Sequence, residues 1–288
     1  MKWLVTLVGV AIVMVILRDV FHTLWHPTRH GGLSRAVMTG LWRLSTRLPP
    51  RWRAAGLAGP LGMVIVIALW TLSVAIGWTL VYWPHMPGGF TFTSELDPSR
   101  HTRLVDALYV SLVNLATLGL GDIAPAAGWL RIVAPLEALV GFALLTATVS
   151  WVLGIYPALI RRRALALRLS HLHRAGFTAE QLDSGAGAAV LDGLAADVAR
   201  VSVDLLQYTE SYYFHDGFGN TSLARAIGYA TDLAEQADHA HHADVRASAA
   251  VLATALEDLA AILDQRFLHT GGTGRPVFRA YARDHGHR

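Results

Sequence analysis

The sequence contains no cysteine, which excludes disulfides, thiolate metal sites and cysteine nucleophiles. Charged residues are scarce as well. They make up 16% of the 288 residues, whereas a soluble domain usually carries about 25%. Hydrophobic residues account for 53%. This balance indicates a membrane protein.

Long uncharged runs account for much of the hydrophobic excess. Ala54–Trp83 contains no charged residue, and Ile132–Ile160 contains only Glu137. A helix needs about 20 apolar residues to cross the roughly 30 Å hydrocarbon core of a bilayer, so both runs predict membrane-spanning helices. Residues 1–25 are also largely apolar. A cleaved signal peptide is the alternative there, but no clear small-x-small cleavage site follows, and we expect an uncleaved transmembrane helix.

The basic residues indicate how these helices are oriented. Seven arginines fall within residues 18–53, and Arg161, Arg162 and Arg163 follow the last apolar run. Segments this rich in arginine stay on the cytoplasmic side of a membrane. We therefore expect a multi-pass protein of the cell (inner) membrane, with residues 161–288 in the cytoplasm. Because the arginines cluster beside apolar segments, we expect no nucleic-acid partner.

Residues 26–53 have the pattern of a basic amphipathic helix. Leucine and valine recur at helical spacing from Leu33 to Leu48, while Arg35 and Arg43 occupy other faces. A helix of this kind lies on an anionic membrane surface. We expect it to contact anionic lipids at the cytoplasmic surface, with a soluble amphipathic helix as the alternative.

The connector between the two long apolar runs contains a shorter apolar segment. Residues 104–116 are apolar enough to be buried but too short to cross a membrane, and Gly119 and Gly121 follow them. Irregular backbone at membrane depth is tolerated only where protein buries it or where it lines a water-filled cavity. A short helix followed by a glycine-bearing strand therefore predicts a re-entrant loop. An extracellular loop with a buried helix is the alternative.

This strand carries the spacing Thr-x-Gly-x-Gly-Asp over Thr117–Asp122. The motif and its flanks resemble the pore loop of the potassium channel superfamily, in particular the prokaryotic two-helix pore type. Trp129, Arg131 and Gly141 continue the resemblance in register. It covers roughly residues 61–160.

The resemblance implies an all-α membrane protein with a pore domain over residues 54–160. Its parts are an outer helix (54–83), a pore helix (104–116), a filter (117–122) and an inner helix (129–160). The sequence adds an N-terminal transmembrane helix (1–25) and a cytoplasmic helical domain with a tail (161–288). The implied function is a potassium-selective channel that conducts passively and is not an enzyme. One chain supplies one pore loop, so four copies are needed to close a ring, and we expect a homotetramer.

The filter motif has a direct chemical purpose. A potassium ion must exchange its hydration oxygens for protein oxygens with little net change in free energy. Alternating glycines permit left-handed backbone conformations that direct successive carbonyls toward one axis. Permeant K⁺ in the filter is the only bound species expected, with no other cofactor. The predicted ion-binding residues are Thr117, Leu118, Gly119, Leu120 and Gly121, with Asp122 and Glu137 as filter supports.

Three residues depart from the family pattern. Leu120 stands where Tyr or Phe is most common, and Ala116 stands where threonine is common. Val113 replaces a glutamate that in some relatives bridges to the aspartate matching Asp122. These changes predict a less braced filter. A weakly selective cation channel and a non-conducting membrane sensor or scaffold with a pore-like fold are the alternatives to a selective channel.

The inner helix is the predicted gating element. Gly141 is interpreted as a hinge at which this helix bends, with close helix packing as the alternative. Val149 and Leu153 share the face expected to line the cavity. Either residue could form an apolar gate that closes by dewetting.

Residues 161–288 have a polar, alanine-rich helical pattern that predicts three or four helices and a loose tail. No strand followed by Gly-x-Gly-x-x-Gly occurs, so a nucleotide-binding domain is not indicated. His239 and His242 stand three residues apart and could hold zinc or nickel. A solvated histidine-rich turn is the alternative.

Overall fold

The chain is an all-α membrane protein. A computed structural model describes residues 1–24, 32–47, 56–93, 102–216 and 219–287. Three helices in the described part are long and apolar enough to cross a membrane: Lys2–Leu24, Ala58–His85 and Leu130–Arg174. The described residues divide into two compact units, the first formed by residues 1–37 and 63–152, the second by residues 38–62 and 153–288.

The elements of the amino-terminal half follow the predicted order. They are α1 (Lys2–Leu24), α2 (Gly32–Arg47), α3 (Ala58–Tyr82) with a 3₁₀ turn (Trp83–His85), β1 (Phe90–Phe92), α4 (Arg103–Leu115), β2 (Ile123–Pro125) and α5 (Leu130–Arg174). The predicted inner helix ends at residue 160, whereas α5 continues to Arg174. The apolar run ends at the arginines, but the alanines and leucines that follow are good helix formers and continue the helix.

A two-stranded antiparallel sheet was not predicted. Phe90 lies opposite Pro125, and Phe92 lies opposite Ile123. Both strands are only three residues long, and 30 residues separate them in the sequence. The sheet joins the chain after α3 to the chain directly after Asp122.

In the first unit, α1 packs against α3 through small residues. A Cβ at Gly9 would collide with the carbonyl of Gly77, which shows how closely the two backbones approach. Asp19 is the acidic residue of α1. Its carboxylate accepts hydrogen bonds from Trp70 Nε1 at 2.9 Å and from the backbone N–H of Leu33 at 3.1 Å. An acidic residue in an apolar helix is thereby paired, as expected at membrane depth.

The second unit contains the remaining helices. They are α6 (Ala179–Leu182), α7 (Gly185–Gln207), α8 (Leu223–Asp238), α9 (Ala243–Leu263) and α10 (Arg275–Asp284), with 3₁₀ turns at Thr209–Tyr213 and Gly219–Thr221 and a π-helical turn at Asp264–Leu268. The Ser184 hydroxyl accepts the N–H of Gly187 at 3.1 Å and so caps α7. The apolar stripe of α7, represented by Leu191, Leu194 and Val198, forms the centre of this core.

Arginine–aspartate pairs join the end of α5 to α7 in the second unit. Arg161 donates to Asp204 at 2.7 and 2.6 Å, and Arg168 donates to Asp197 at 2.8 Å. The two arginines are seven residues apart on α5, and the two aspartates are seven residues apart on α7 in the opposite order. Two antiparallel helices require this order. Arg162 is buried and pairs with Asp216, so its role extends beyond marking orientation.

The helix predicted within residues 26–53 is present as α2, but residues 25–31 and 48–55 of that segment lie outside the described residues. The most buried residues of α2 are Ser34, Met38 and Trp42. Each follows directly after a residue of the predicted apolar face, which begins at Leu33. Trp42 packs against Tyr212 and donates its indole N–H to Asp284 at 2.8 Å. Part of this helix is therefore anchored on protein.

Candidate functional site

The site begins at the end of α4. This helix buries one face, including Asp106, Val110 and Ser111, and its other face is exposed in the single chain. After Leu115 the backbone leaves the helix. The N–H of Leu118 still donates to the carbonyl of Val113 at 2.9 Å, which fixes where the next segment starts.

The backbone of residues 117–121 has an alternating pattern. φ is 57° at Thr117, 57° at Gly119 and 78° at Gly121, whereas Leu118 and Leu120 are outside the positive-φ region. Glycine adopts such angles freely, but a β-branched residue like Thr117 does so rarely, and such strain is typical of functional sites. Thr117, Gly119 and Gly121 therefore share a left-handed conformation that the two leucines between them do not adopt.

The side chains of this segment are largely uncovered by the residues that the structure describes. Leu118 is 63% exposed and Leu120 is 61% exposed, and Gly119 and Gly121 are exposed as well. Exposed leucines flanking a strained glycine-bearing strand are unfavourable in an isolated protomer. Both leucines are therefore among the exposed large apolar side chains of the single chain.

The outer end of the strand is held by Asp122. The Tyr109 hydroxyl donates to its carboxylate at 2.6 Å, and the N–H of Thr93 donates to its carbonyl at 3.0 Å. Tyr109 was not among the predicted filter supports; only Val113, where some relatives carry a bridging glutamate, had been related to Asp122. A signal was present: Tyr109 lies one turn before Val113 and therefore shares its helix face.

Glu137 lies at the junction of three helices. It is fully buried and accepts hydrogen bonds from the Tyr82 hydroxyl at 2.6 Å, the Ser111 hydroxyl at 2.7 Å and the Asn114 amide at 3.4 Å. A buried carboxylate requires such partners. These bonds join α5 to α3 and to the last turns of α4, directly behind the strand.

Gly141 is a close-packing position in this structure. A Cβ built there would collide with the carbonyl of Leu115, the last residue of α4. α5 runs through Gly141 as part of one continuous helix. The observation favours the packing interpretation, and the hinge stays a prediction.

Val149 and Leu153, the predicted gate residues, are exposed on α5. Phe142 and Leu145 are exposed at preceding positions of this helix. The spacing places all four on one apolar face. The exposed fractions of these four residues range from 49% to 67%.

His239 and His242 are placed differently from each other. His239 follows the last residue of α8, whereas His242 Nδ1 and its backbone N–H both contact Asp183 at 2.9 Å. His241 contacts the same carboxylate through its own ring and N–H. The backbone N–H donors hold the pKa of Asp183 well below its ordinary value. Within the described ranges no group of three or more His, Cys, Asp or Glu residues is placed to bind a metal, and the metal site stays a prediction.

Comparison with known proteins gives a match over the region just described. Residues 64–155 match the family model described as "Ion channel". This part of the chain is similar to a two-helix, potassium-channel-like ion-channel domain. It contains α4, the glycine-bearing strand and the membrane-spanning part of α5.

One curated relative extends the comparison. The uncharacterized membrane protein YdjJ of Bacillus subtilis (strain 168) is 27% identical over 153 residues. The match covers 52% of this chain and 44% of that protein, so it spans less than half of the relative's length. No solved structure matches the chain significantly.

Proposed function

We propose that the chain is one subunit of a homotetrameric, potassium-selective channel whose filter is Thr117–Asp122. The observation that carries this proposal is the alternation of backbone conformation at Thr117, Gly119 and Gly121. It directs main-chain oxygens to one side, where they can replace the hydration shell of a dehydrated potassium ion. The ion-binding groups are the carbonyls from Thr117 to Leu120 and the Thr117 hydroxyl.

Four chains are needed because each supplies a single filter strand. The exposure of Leu118 and Leu120 supports this assembly, since neighbouring subunits would cover both side chains. Closed cyclic symmetry would bring four equivalent strands around one axis. Each pore helix α4 ends at the filter and directs its partially negative carboxyl end toward the ion path.

We place the channel in the cell (inner) membrane with residues 161–288 in the cytoplasm. The arginine distribution supports this orientation. Arg35 and Arg43 are exposed on α2, which leaves this helix able to contact anionic lipids beside the anchored Trp42.

The apolar face of α5 is proposed to line the cavity and to close it at Val149 or Leu153. An apolar constriction excludes ions by dewetting, so Val149→Asp or Leu153→Asp should give ion leak under conditions in which the parent is closed. Single-channel recording of both variants measures this. A closed state as tight as the parent's in both variants would exclude these positions.

A weakly selective cation channel is the second candidate, because Leu120 lacks the ring and hydroxyl usual at this position. Flux through purified protein in liposomes, measured separately for K⁺ and Na⁺, distinguishes the candidates. Selective K⁺ flux supports the proposal, similar flux of both ions supports the second candidate, and no flux supports a non-conducting sensor or scaffold.

Two glycine substitutions, one disruptive and one used as its control, test the conformation of the proposed filter. Gly119→Ala forces a side chain into a position with φ of 57° and should abolish flux. Gly128→Ala is a control, because a Cβ there meets no atom within 4 Å and the parent flux should remain.

A further inference from the structure

Glu137 is a buried acidic residue whose partners are all uncharged. Its side chain is fully buried in the long apolar helix α5. Within the described residues it forms hydrogen bonds with Tyr82, Ser111 and Asn114. An ionised carboxylate at membrane depth usually has a charged partner. Since none of these three partners is charged, the pattern of hydrogen bonds itself has to account for the protonation state of Glu137.

Ser111 contacts two oxygen atoms that would both be acceptors if Glu137 were ionised. Its hydroxyl oxygen lies 2.7 Å from Glu137 Oε1 and 3.0 Å from the carbonyl oxygen of Ala75. A serine hydroxyl carries one proton and can donate one hydrogen bond. With an ionised Glu137, one of the two contacts would therefore bring two oxygens together with no proton between them.

A proton on Glu137 Oε1 removes this conflict. Glu137 then donates to the Ser111 hydroxyl, and Ser111 donates to the Ala75 carbonyl. The other carboxyl oxygen, Oε2, keeps its two donors, which are the Tyr82 hydroxyl at 2.6 Å and the Asn114 amide at 3.4 Å. Because a hydroxyl oxygen can donate and accept at once, each of the four contacts has a donor and an acceptor in this state.

The surroundings of Ala75 indicate where the serine proton points. Ser111 is fully buried, and the Ala75 carbonyl already accepts the Thr79 hydroxyl at 2.7 Å. In a buried site of low dielectric, a carbonyl oxygen attracts a further donor and repels the lone pairs of a hydroxyl. The 3.0 Å approach of Ser111 to this carbonyl therefore places the serine proton toward Ala75. Glu137 has to supply the proton of the 2.7 Å contact.

We propose that Glu137 is a neutral carboxylic acid, a proton-binding site that joins α5 to α4 and, through Ser111, to α3. Among its hydrogen-bond partners the titratable one is Tyr82 of α3, whereas α4 presents the uncharged Ser111 and Asn114. Its part in conduction rests on the proposed function: Glu137 is a positioning residue behind the proposed filter and adds no negative charge to the ion path.

The infrared spectrum of the full chain in lipid vesicles tests the protonation state. A protonated carboxyl group has a C=O stretching band that a carboxylate lacks, so the difference between the parent and Glu137→Gln near neutral pH should contain this band. Other acids, including the buried Glu210, are present in both proteins and cancel. Glu257→Gln is the control. An exposed glutamate such as Glu257 is ionised near neutral pH, and its difference spectrum should lack the band. Absence of the band from the Glu137→Gln difference would overturn the proposal.

Ser111→Ala tests the direction of the bond. The proton of Glu137 loses its acceptor in this variant, so the carboxylic acid band should move to a higher frequency than in the parent. This spectrum also serves if Glu137→Gln does not fold. A spectrum without any difference in this region would show that Glu137 donates no proton to Ser111, which contradicts the proposal.

Thermal unfolding provides a measurement that is independent of the spectra. In Glu137→Gln an amide N–H replaces the acid O–H and a carbonyl replaces Oε2, so this variant should unfold at a temperature close to the parent's. Glu137→Ala leaves the buried Tyr82 and Ser111 hydroxyls without this partner and should unfold at a lower temperature. Equal losses in both variants would contradict the neutral acid. None of these measurements uses ion flux, so a protein that shows the band but conducts no K⁺ would contradict the proposed function alone.

Discussion

Asp122 shows how a few atoms hold the end of the proposed filter. Its carboxylate receives the Tyr109 hydroxyl and its carbonyl receives the N–H of Thr93. The first bond comes from the pore helix and the second from the chain directly after β1. Two separate parts of the first unit therefore fix one residue, and Tyr109 bonds to Asp122 although Val113 lacks the glutamate that bridges to this aspartate in some relatives.

Removing the Tyr109 hydroxyl should loosen the filter. A hydrogen bond to a charged group contributes about 1.5–3 kcal/mol, so Tyr109→Phe should lower the K⁺-over-Na⁺ permeability ratio by about tenfold. The reversal potential with K⁺ on one side and Na⁺ on the other measures this ratio. Tyr229→Phe, in the second unit, is the control. A ratio equal to the parent's in Tyr109→Phe would show that the bond does not brace the filter.

Glu210 should make stability depend on pH. Burial raises its pKa from 4.5 to about 7. Between these pH values the folded chain retains a proton that the unfolded chain has released, so the free energy of unfolding falls as pH rises through this window and levels off above it. Glu210→Gln cannot ionise and should be more stable than the parent by about 3 kcal/mol at pH 8, with little difference at pH 4.

Unfolding of both proteins at pH 4, 6 and 8 checks this prediction. Burial lowers the pKa of His215 and of His285, and these histidines contribute the opposite pH trend to both proteins. The difference between the two unfolding curves therefore isolates Glu210. A difference that does not grow with pH would show that Glu210 ionises normally.

At the level of helices, the contact between α4 and α5 connects the membrane span to the filter. Glu137 bonds to Ser111 and Asn114 of α4, and Gly141 abuts the carbonyl of Leu115. Both contacts lie within two turns of Thr117. Movement of α5 at these positions would therefore displace the base of the filter directly.

Gly141→Ala should disturb this contact. The added methyl group collides with backbone that cannot rotate away, and overpacking of this kind costs about 1–3 kcal/mol. We expect lower thermal stability together with reduced ion flux. Gly40→Ala is the control, because a Cβ there meets no atom within 4 Å and alanine favours a helix by about 1 kcal/mol. Unchanged stability with altered open probability in Gly141→Ala would instead support the hinge.

Some elements of the architecture could be predicted from the sequence, and others could not. Long apolar runs predicted α1, α3 and the membrane part of α5 because span length is a direct requirement of the bilayer. The extension of α5 to Arg174 was missed, since hydropathy marks the end of the span and not of the helix. β1 and β2 were missed because three-residue strands leave no periodic signal. The Tyr109–Asp122 bond depends on tertiary geometry, which a motif alone does not specify.

The complete molecule is proposed to be a ring of four chains. In a single chain the proposed filter and the apolar face of α5 are both exposed. In such a ring, neighbouring subunits would cover Leu118 and Leu120, and the apolar face of α5 would line the cavity. Native mass spectrometry in detergent should therefore give the mass of four chains. A stable monomer or dimer that still conducts K⁺ would contradict the assembly.

The most direct test of the account is the reversal potential of purified protein in a planar bilayer with K⁺ on one side and Na⁺ on the other. Main-chain oxygens of residues 117–120, arranged around one axis, should admit K⁺ and exclude Na⁺. The account predicts a reversal potential that follows the K⁺ gradient. A reversal potential near zero, meaning equal permeability, would contradict it.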